Sequence, residues 1–291
     1  MLAQLFAVMA PVFVGACIGF FWIRLGHAYP TDFVTKLVFN VGTPSLILAS
    51  LSGANIDAHT FGRTMLSTLG VLLVMALATW LMALLLRKNW RVLLAPMMYP
   101  NTGNMGLPVA LYAFGSEGFA YAITVMVTVA LVQFTFGVMM ISRSNPLKSL
   151  LRTPTVYSIL LSVAILLTDT DLPLWIDNTV ELISGFTVPL MLITLGVSLA
   201  NIQVRSLSSG LAFSLLRTVL AVCVAFGVGW LLNLPPLAQS VLVLQMSMPV
   251  AVYNYLFAQR SRREPEYVAS LVFCSTLLAF IYVPLLLALF M

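Results

Sequence analysis

Tyr99-Pro100-Asn101-Thr102-Gly103-Asn104-Met105-Gly106-Leu107-Pro108 interrupts an apolar run that otherwise extends over residues 92–114. Two prolines and two glycines within nine residues do not continue a regular helix. Proline removes an intrahelical hydrogen bond and clashes with the preceding turn, while glycine lets the chain reopen. Unpaired backbone is costly in hydrocarbon, so a broken helix survives at membrane depth only inside protein or beside a cavity. Asn101 and Asn104 lie at the break, where their amides can satisfy freed backbone groups or a ligand. The break itself is formed by Pro100, Gly103, Gly106 and Pro108.

The rest of the chain supplies the membrane. Of 291 residues, 61% are hydrophobic and 8% charged, which a soluble domain of this size has no interior to hide. Roughly 20 apolar residues span a bilayer as a helix. Such runs recur at about 2–23, 33–52, 65–86, 92–114, 119–141, 153–168, 178–200, 207–232, 237–259 and 267–290. The expectation is an all-α integral membrane protein of ten transmembrane helices. The first run has no basic n-region and no cleavage site, so it reads as a retained span. Basic residues fall in the short loops, a topology signal that argues against a nucleic-acid stripe despite the net charge of +5. With both termini outside, the inside carries Arg24, Lys36, Arg87, Lys88, Arg91, Arg143, Lys148, Arg152, Arg205, Arg260, Arg262 and Arg263. The outside carries Arg63. That bias predicts a multi-pass protein of the plasma membrane, the inner membrane in a bacterium.

The chain also repeats. Pro108-Val109-Ala110-Leu111-Tyr112 returns as Pro249-Val250-Ala251-Val252-Tyr253, an offset of 141 residues (108 to 249). Thr43-Pro44-Ser45-Leu46 returns as Val188-Pro189-Leu190-Met191, and each of these segments ends in Ala-Asn-Ile, at 54–56 and 200–202. Two matches in the same order divide the chain into halves at 1–143 and 144–291 with five spans each. An odd number of spans inverts the second half, the arrangement of many secondary transporters. The ninth span has its own, milder break at Gln245-Met246-Ser247-Met248-Pro249, where Gln245 corresponds to Asn104. Half-helix N-termini at such breaks carry about half a positive charge and free N–H donors, suited to an anion.

At these residues the sequence resembles the auxin efflux carrier family, which includes plant auxin carriers and bacterial carriers of small organic acids. The resemblance rests on Pro100-Asn101-Thr102 followed by Met105-Gly106-Leu107-Pro108, and on Asn145-Pro146, Thr194-Leu195-Gly196, Arg217, Pro249 and Phe257-Ala258 in order. It implies a fold similar to sodium/proton antiporters and bile-acid symporters, with a scaffold domain and a transporter domain in which helices 4 and 9 cross. It implies that Asn101 contacts substrate, that Pro108 and Pro249 are the crossover prolines, and that the protein is a homodimer through the scaffold. The family's large cytosolic loop is short here, at Ser142 to Arg152. Gln133 is either the remnant of the family's polar support site or a glutamine bonding a neighbouring helix.

Arg217 is the one ionisable residue well inside a span. It either attracts an anion or gates, or it has a structural, snorkelled role. Apart from Glu181, near the outer end of the 178–200 run, no Asp or Glu lies within a span, so an acid deep in the membrane that binds and releases a coupled ion is missing. A monoanion leaving an inside-negative cell gains about 2.3 kcal/mol per 100 mV without one. The expected function is elevator-type transport of small organic anions, by efflux or uniport, on a site of Asn101, Asn104, Gln245, Tyr253 and Asn254. The alternative is a sodium- or proton-coupled symporter of the bile-acid type. An enzyme is not expected, since no acid/base or metal constellation, Gly-rich phosphate loop or nucleophile elbow appears, and no cofactor or metal is implied. Gly15 and Gly19 form a GxxxG suited to close helix packing.

Overall fold

The computed structural model describes residues 2–52, 58–133, 135, 154–168, 172–202 and 207–290. Outside the described residues lie Asp57, Arg143, Lys148, Arg152, Asp169, Asp171 and Arg205, the half-chain boundary at 143/144, Asn145-Pro146 and the 54–56 echo.

Everything described as regular structure is helical. The first helices are α1 (Leu2–Arg24), α2 (Thr31–Leu37), a π turn (Val38–Gly42), α3 (Thr43–Ser52) and α4 (Ala58–Leu85). Next come α5 (Trp90–Met98), a second π turn (Thr102–Gly106) and α6 (Leu107–Val132). The later helices are α7 (Pro154–Thr168), α8 (Leu174–Gly185), α9 (Thr187–Asn201), α10 (Leu207–Leu231), α11 (Pro236–Ser247), α12 (Val252–Ser261) and α13 (Pro265–Phe290). Six stretches are long and apolar enough to cross a membrane: α1, α4, residues 102–132, residues 174–201, α10 and α13. The other apolar runs are short or interrupted. Gly115 is the hinge between the fourth and fifth expected spans, since its φ of +65° is open to glycine and strained for other residues. The interruption at Phe186, between α8 and α9, was not expected from the sequence.

These helices are built for lipid as solvent. On α4 the buried face carries Thr60, Thr64, Ser67, Thr68, Val71, Leu72, Met75 and Thr79, while Leu66, Leu69, Leu73, Leu77, Leu81 and Leu84 point outward. Polar and small residues turn inward and leucines outward, the reverse of a soluble helix. The inward threonines bond one turn back, Thr64 Oγ1 to the Thr60 carbonyl at 2.9 Å, Thr68 Oγ1 to that of Thr64 at 2.8 Å and Thr79 Oγ1 to that of Met75 at 2.6 Å. These donors are satisfied within the helix, while the buried Ser67 Oγ has no partner.

The helices pack in two groups. In the flanking group α1 lies against α9, and α3 lies against α7 and α8. The contact of α1 with α9 is backbone to backbone: a Cβ on Gly19 would fall 1.9 Å from the Ile193 carbonyl oxygen, and one on Gly196 would fall 1.8 Å from that of Ala16. The crossing group contains α4, α5, α6, α10, α11, α12 and α13, with α10 packed on α4, α11 and α13. A mainly apolar cluster from α1, α3, α6, α9, α11 and α13 joins the two groups.

Candidate functional site

The site forms where two helices stop. Asn89 caps α5, its side chain accepting from the Arg91 N–H at 3.1 Å, and α5 ends when Tyr99 turns extended at φ −101°, ψ 100°. Pro100 has no N–H to continue the helix. In the second half, α11 ends when Met248 adopts φ −50°, ψ 151°, and Pro249 likewise brings no donor. The extended strips then cross antiparallel, with Pro100 opposite Val250. The Asn101 N–H donates to the Pro249 carbonyl at 2.7 Å, and the Ala251 N–H to the Tyr99 carbonyl at 3.2 Å. Helical order resumes at Thr102 in one chain segment and at Val252 in the other.

The crossing corrects the expected register. Repeat matching paired Pro108 with Pro249, but the residue opposite the second break is Pro100. Pro108 is the second residue of α6, after the Thr102–Gly106 turn has already restored helical order. The π turn Thr102–Gly106 intervenes between the two prolines. The repeated motif marks matching sequence, while the break sits where the backbone becomes extended.

Side chains take several of the carbonyls freed by these endings. Arg217, 1% exposed, donates from Nε to the Pro96 carbonyl at 3.1 Å, from Nη1 to Met248 at 2.6 Å and from Nη2 to Met246 at 3.4 Å. The Tyr282 hydroxyl donates to the Ser247 carbonyl at 2.6 Å, and the Val250 N–H donates to Ser275 Oγ at 3.0 Å. Arg217 therefore does not snorkel; its fork is spent on the two helix ends.

Beside the crossing, between the packing groups, lies a cavity of about 240 Å³. The crossing group contributes Pro100, Asn101, Gly103, Asn104, Gln133 and Tyr253, and the flanking group Thr31, Thr35, Thr43, Thr194, Ser198 and Asn201. Much of the remaining wall is apolar, including Phe39, Met126, Leu131, Val156 and Met191. Among the described residues no Asp, Glu, Lys, Arg or His lines it. Two polar groups in the wall have no partner: the Asn101 Nδ2, on a residue 5% exposed, and the buried Thr43 Oγ1. The residues that begin both second half-helices, at Thr102 and Val252, also line it, so two helix N-termini converge on this space.

Of the expected site residues, Asn101, Asn104 and Tyr253 come together in this wall. Gln245 and Asn254 do not. Gln245 precedes the break, fully buried against Gly106, where a Cβ would fall 2.2 Å from its Oε1. Asn254 faces inward, giving its Nδ2 to the Tyr99 carbonyl at 3.0 Å and accepting from Gln133 Nε2 at 3.5 Å. Gln133 thus reaches both the cavity and the crossing. The hydroxyl wall went unread in the sequence, although Thr31/Thr35 and Thr194/Ser198 stand at helical spacing. Tyr29 shares a hydrogen bond of 2.8 Å with Thr194, tying that wall to the chain entering α2.

Comparison with known proteins follows this geometry. The profile of the membrane transport protein family matches residues 144–287. A protein of Methanothermobacter thermautotrophicus described as an uncharacterized transporter is 30% identical over 266 residues, covering 87% of this chain and 86% of its own. The chain belongs to this family of membrane transport proteins, the auxin efflux carrier type. A second uncharacterized transporter, from Methanocaldococcus jannaschii, is 28% identical over 201 residues, 65% of this chain and 64% of its own. The crossing thus lies in a multi-pass membrane transporter, where unwound backbone at mid-helix is the usual position of the cargo site.

Proposed function

We propose that this transporter carries small organic anions by elevator-type alternating access, in efflux or uniport, with the crossing group moving against the flanking group. The observation that carries the reading is Asn101. Its amide Nδ2 is buried without a partner in the wall of a cavity on which two half-helix N-termini converge. A carboxylate placed there would satisfy that donor and meet about half a positive charge from each helix end. Asn104 and Tyr253 complete the polar end of the pocket, while Phe39, Met126 and Leu131 suit an apolar body. About 240 Å³ is below the roughly 300–1,000 Å³ of drug-sized pockets, which favours a small substrate.

The wider arrangement belongs to the same proposal. Ten spans in two inverted repeats, 1–143 and 144–291, fit the paired interruptions: α3 and α9 both restart at a threonine just before proline, Thr43-Pro44 and Thr187-Val188-Pro189. Both termini outside fits the basic loops. Arg63, the exception, donates to the carbonyls of Leu232 and Asn233 beyond the end of α10, so its charge answers a helix C-terminus. A homodimer through the flanking group rests on the family likeness.

The test is counterflow of labelled C3–C6 and indole organic acids in proteoliposomes. Asn101→Ala should lower saturable flux about 10–100-fold, the worth of a hydrogen bond to a charged group at about 1.5–3 kcal/mol. Membrane insertion should be unchanged. Equal flux through a well-folded Asn101→Ala variant would remove the reading.

A further inference from the structure

We propose that Arg217 is a built-in cation, which occupies the carbonyl cluster at the crossing where other broken-helix transporters bind a coupled alkali ion. This deepens the transport reading and rests on it only for its consequence for coupling.

A helix end is a source of negative potential, equivalent to about half an elementary charge carried by its last unbonded carbonyls. The crossing brings two such ends together, those of α5 and α11, at the depth where both helices break. About one negative charge therefore gathers in the interior. In transporters built on broken helices, unwound carbonyls and half-helix C-termini of this kind coordinate sodium or a proton-carrying group. Here the carbonyls of Pro96, Met246 and Met248 all accept from one guanidinium, at 2.6–3.4 Å. Among the described residues no carboxylate bonds Arg217, and its three hydrogen bonds all go to backbone oxygens. The charges cancel: one fixed positive group against two half-charges.

The geometry also makes Arg217 a positioning residue for the crossing. Its fork links the end of α5 to the end of α11, so the two first half-helices hold a fixed separation. Asn101, five residues beyond Pro96 and hydrogen-bonded through its N–H to the carbonyl of Pro249, next to Met248, inherits the position. A guanidinium suits this better than an ammonium, because its planar donors reach separate acceptors from one rigid group. The consequence is a crossing that is complete without an alkali cation, in a molecule whose cavity has no acid to bind one among the described residues.

The test reads thermal unfolding of the purified full chain rather than flux. For the wild type, exchanging choline chloride for sodium chloride at constant ionic strength should leave the midpoint unchanged. Arg217→Ala should lower it by about 5–15 °C, as expected for breaking a buried charged cluster. Low-millimolar guanidinium chloride should then restore at least half of that loss and saturate, whereas choline at equal ionic strength should not. If Arg217→Ala fails to fold, Arg217→Gln enters the same titration. Saturable stabilisation of the wild type by sodium would overturn the inference, as would variants that respond to guanidinium no differently from choline. If these results hold while Asn101→Ala transports normally, the clamp stands and the substrate reading falls.

Discussion

Asn101 sits where the chain direction changes from extended strip to helix, so its backbone and side chain have separate tasks. The N–H secures the crossing through Pro249, the carbonyl accepts from the Gly106 N–H at 3.0 Å, and only the amide is left over. A buried donor without a partner costs roughly 1–3 kcal/mol, a strain that makes sense if a ligand supplies the missing acceptor. Thr43, which lines the same cavity from the flanking group, has a buried Oγ1 that is equally unpartnered. Thr43→Val, nearly the same shape, should raise the unfolding midpoint by about 2–6 °C while lowering flux several-fold. A raised midpoint with unchanged flux would take Thr43 out of the site. The place of Asn101, Asn104 and Tyr253 beside the breaks was legible in the sequence, and the structure puts all three in the cavity wall. The place of Gln245 was not. Symmetry with Asn104 put it in the pocket, but it lies before its break and Asn104 after, so the two face different surroundings. Arg217 was legible as a buried charge, while the direction of its long side chain was not.

At the scale of elements, the sequence located both breaks but misplaced one crossover by eight residues. Pro108-Val-Ala and Pro249-Val-Ala match as strings, yet only the second proline ends its helix. Pro108 enters a helix already restarted by the Thr102–Gly106 turn, and which of two nearby prolines breaks the backbone depends on tertiary pairing that no string records. The glycine pair of α1 was more transparent. Gly15 and Gly19 were expected to permit close packing, and they do, with α9 as the partner. The limit is steric rather than conformational, since both are helical. Gly19→Ala and Gly196→Ala should each force these helices apart and destabilise by about 1–3 kcal/mol, the cost of overpacking. Denaturation in detergent checks this, and an Ala variant as stable as the wild type would show that the helices are free to separate. Gly19 and its neighbours on α1 do not line the cavity, so any loss of flux in Gly19→Ala should follow the loss of stability.

At the scale of the molecule, composition decided the solvent and the helical class before any motif was read. Chains this apolar keep their polar atoms inward, as α4 does with its threonines. What composition could not supply is the grouping of helices, because lipid-facing leucines look alike on every span. The packing separates a flanking group, with α1, α3, α7, α8 and α9, from a crossing group that holds the broken helices. The cavity lies between them, with four threonines and a serine on the flanking side and the amides of Asn101, Asn104 and Gln133 on the crossing side. Transport by relative movement of the groups is the central claim, and Phe13 of α1 against Phe280 of α13 offers a place to stop it. Their rings meet edge to face at 5.4 Å, away from the residues that line the cavity. With the native cysteines removed, Phe13→Cys and Phe280→Cys can be joined by a short, reducible bis-thiosulfonate linker. Saturable counterflow should be lost when the linker is in place and return on reduction; full counterflow through the cross-linked protein would contradict the account.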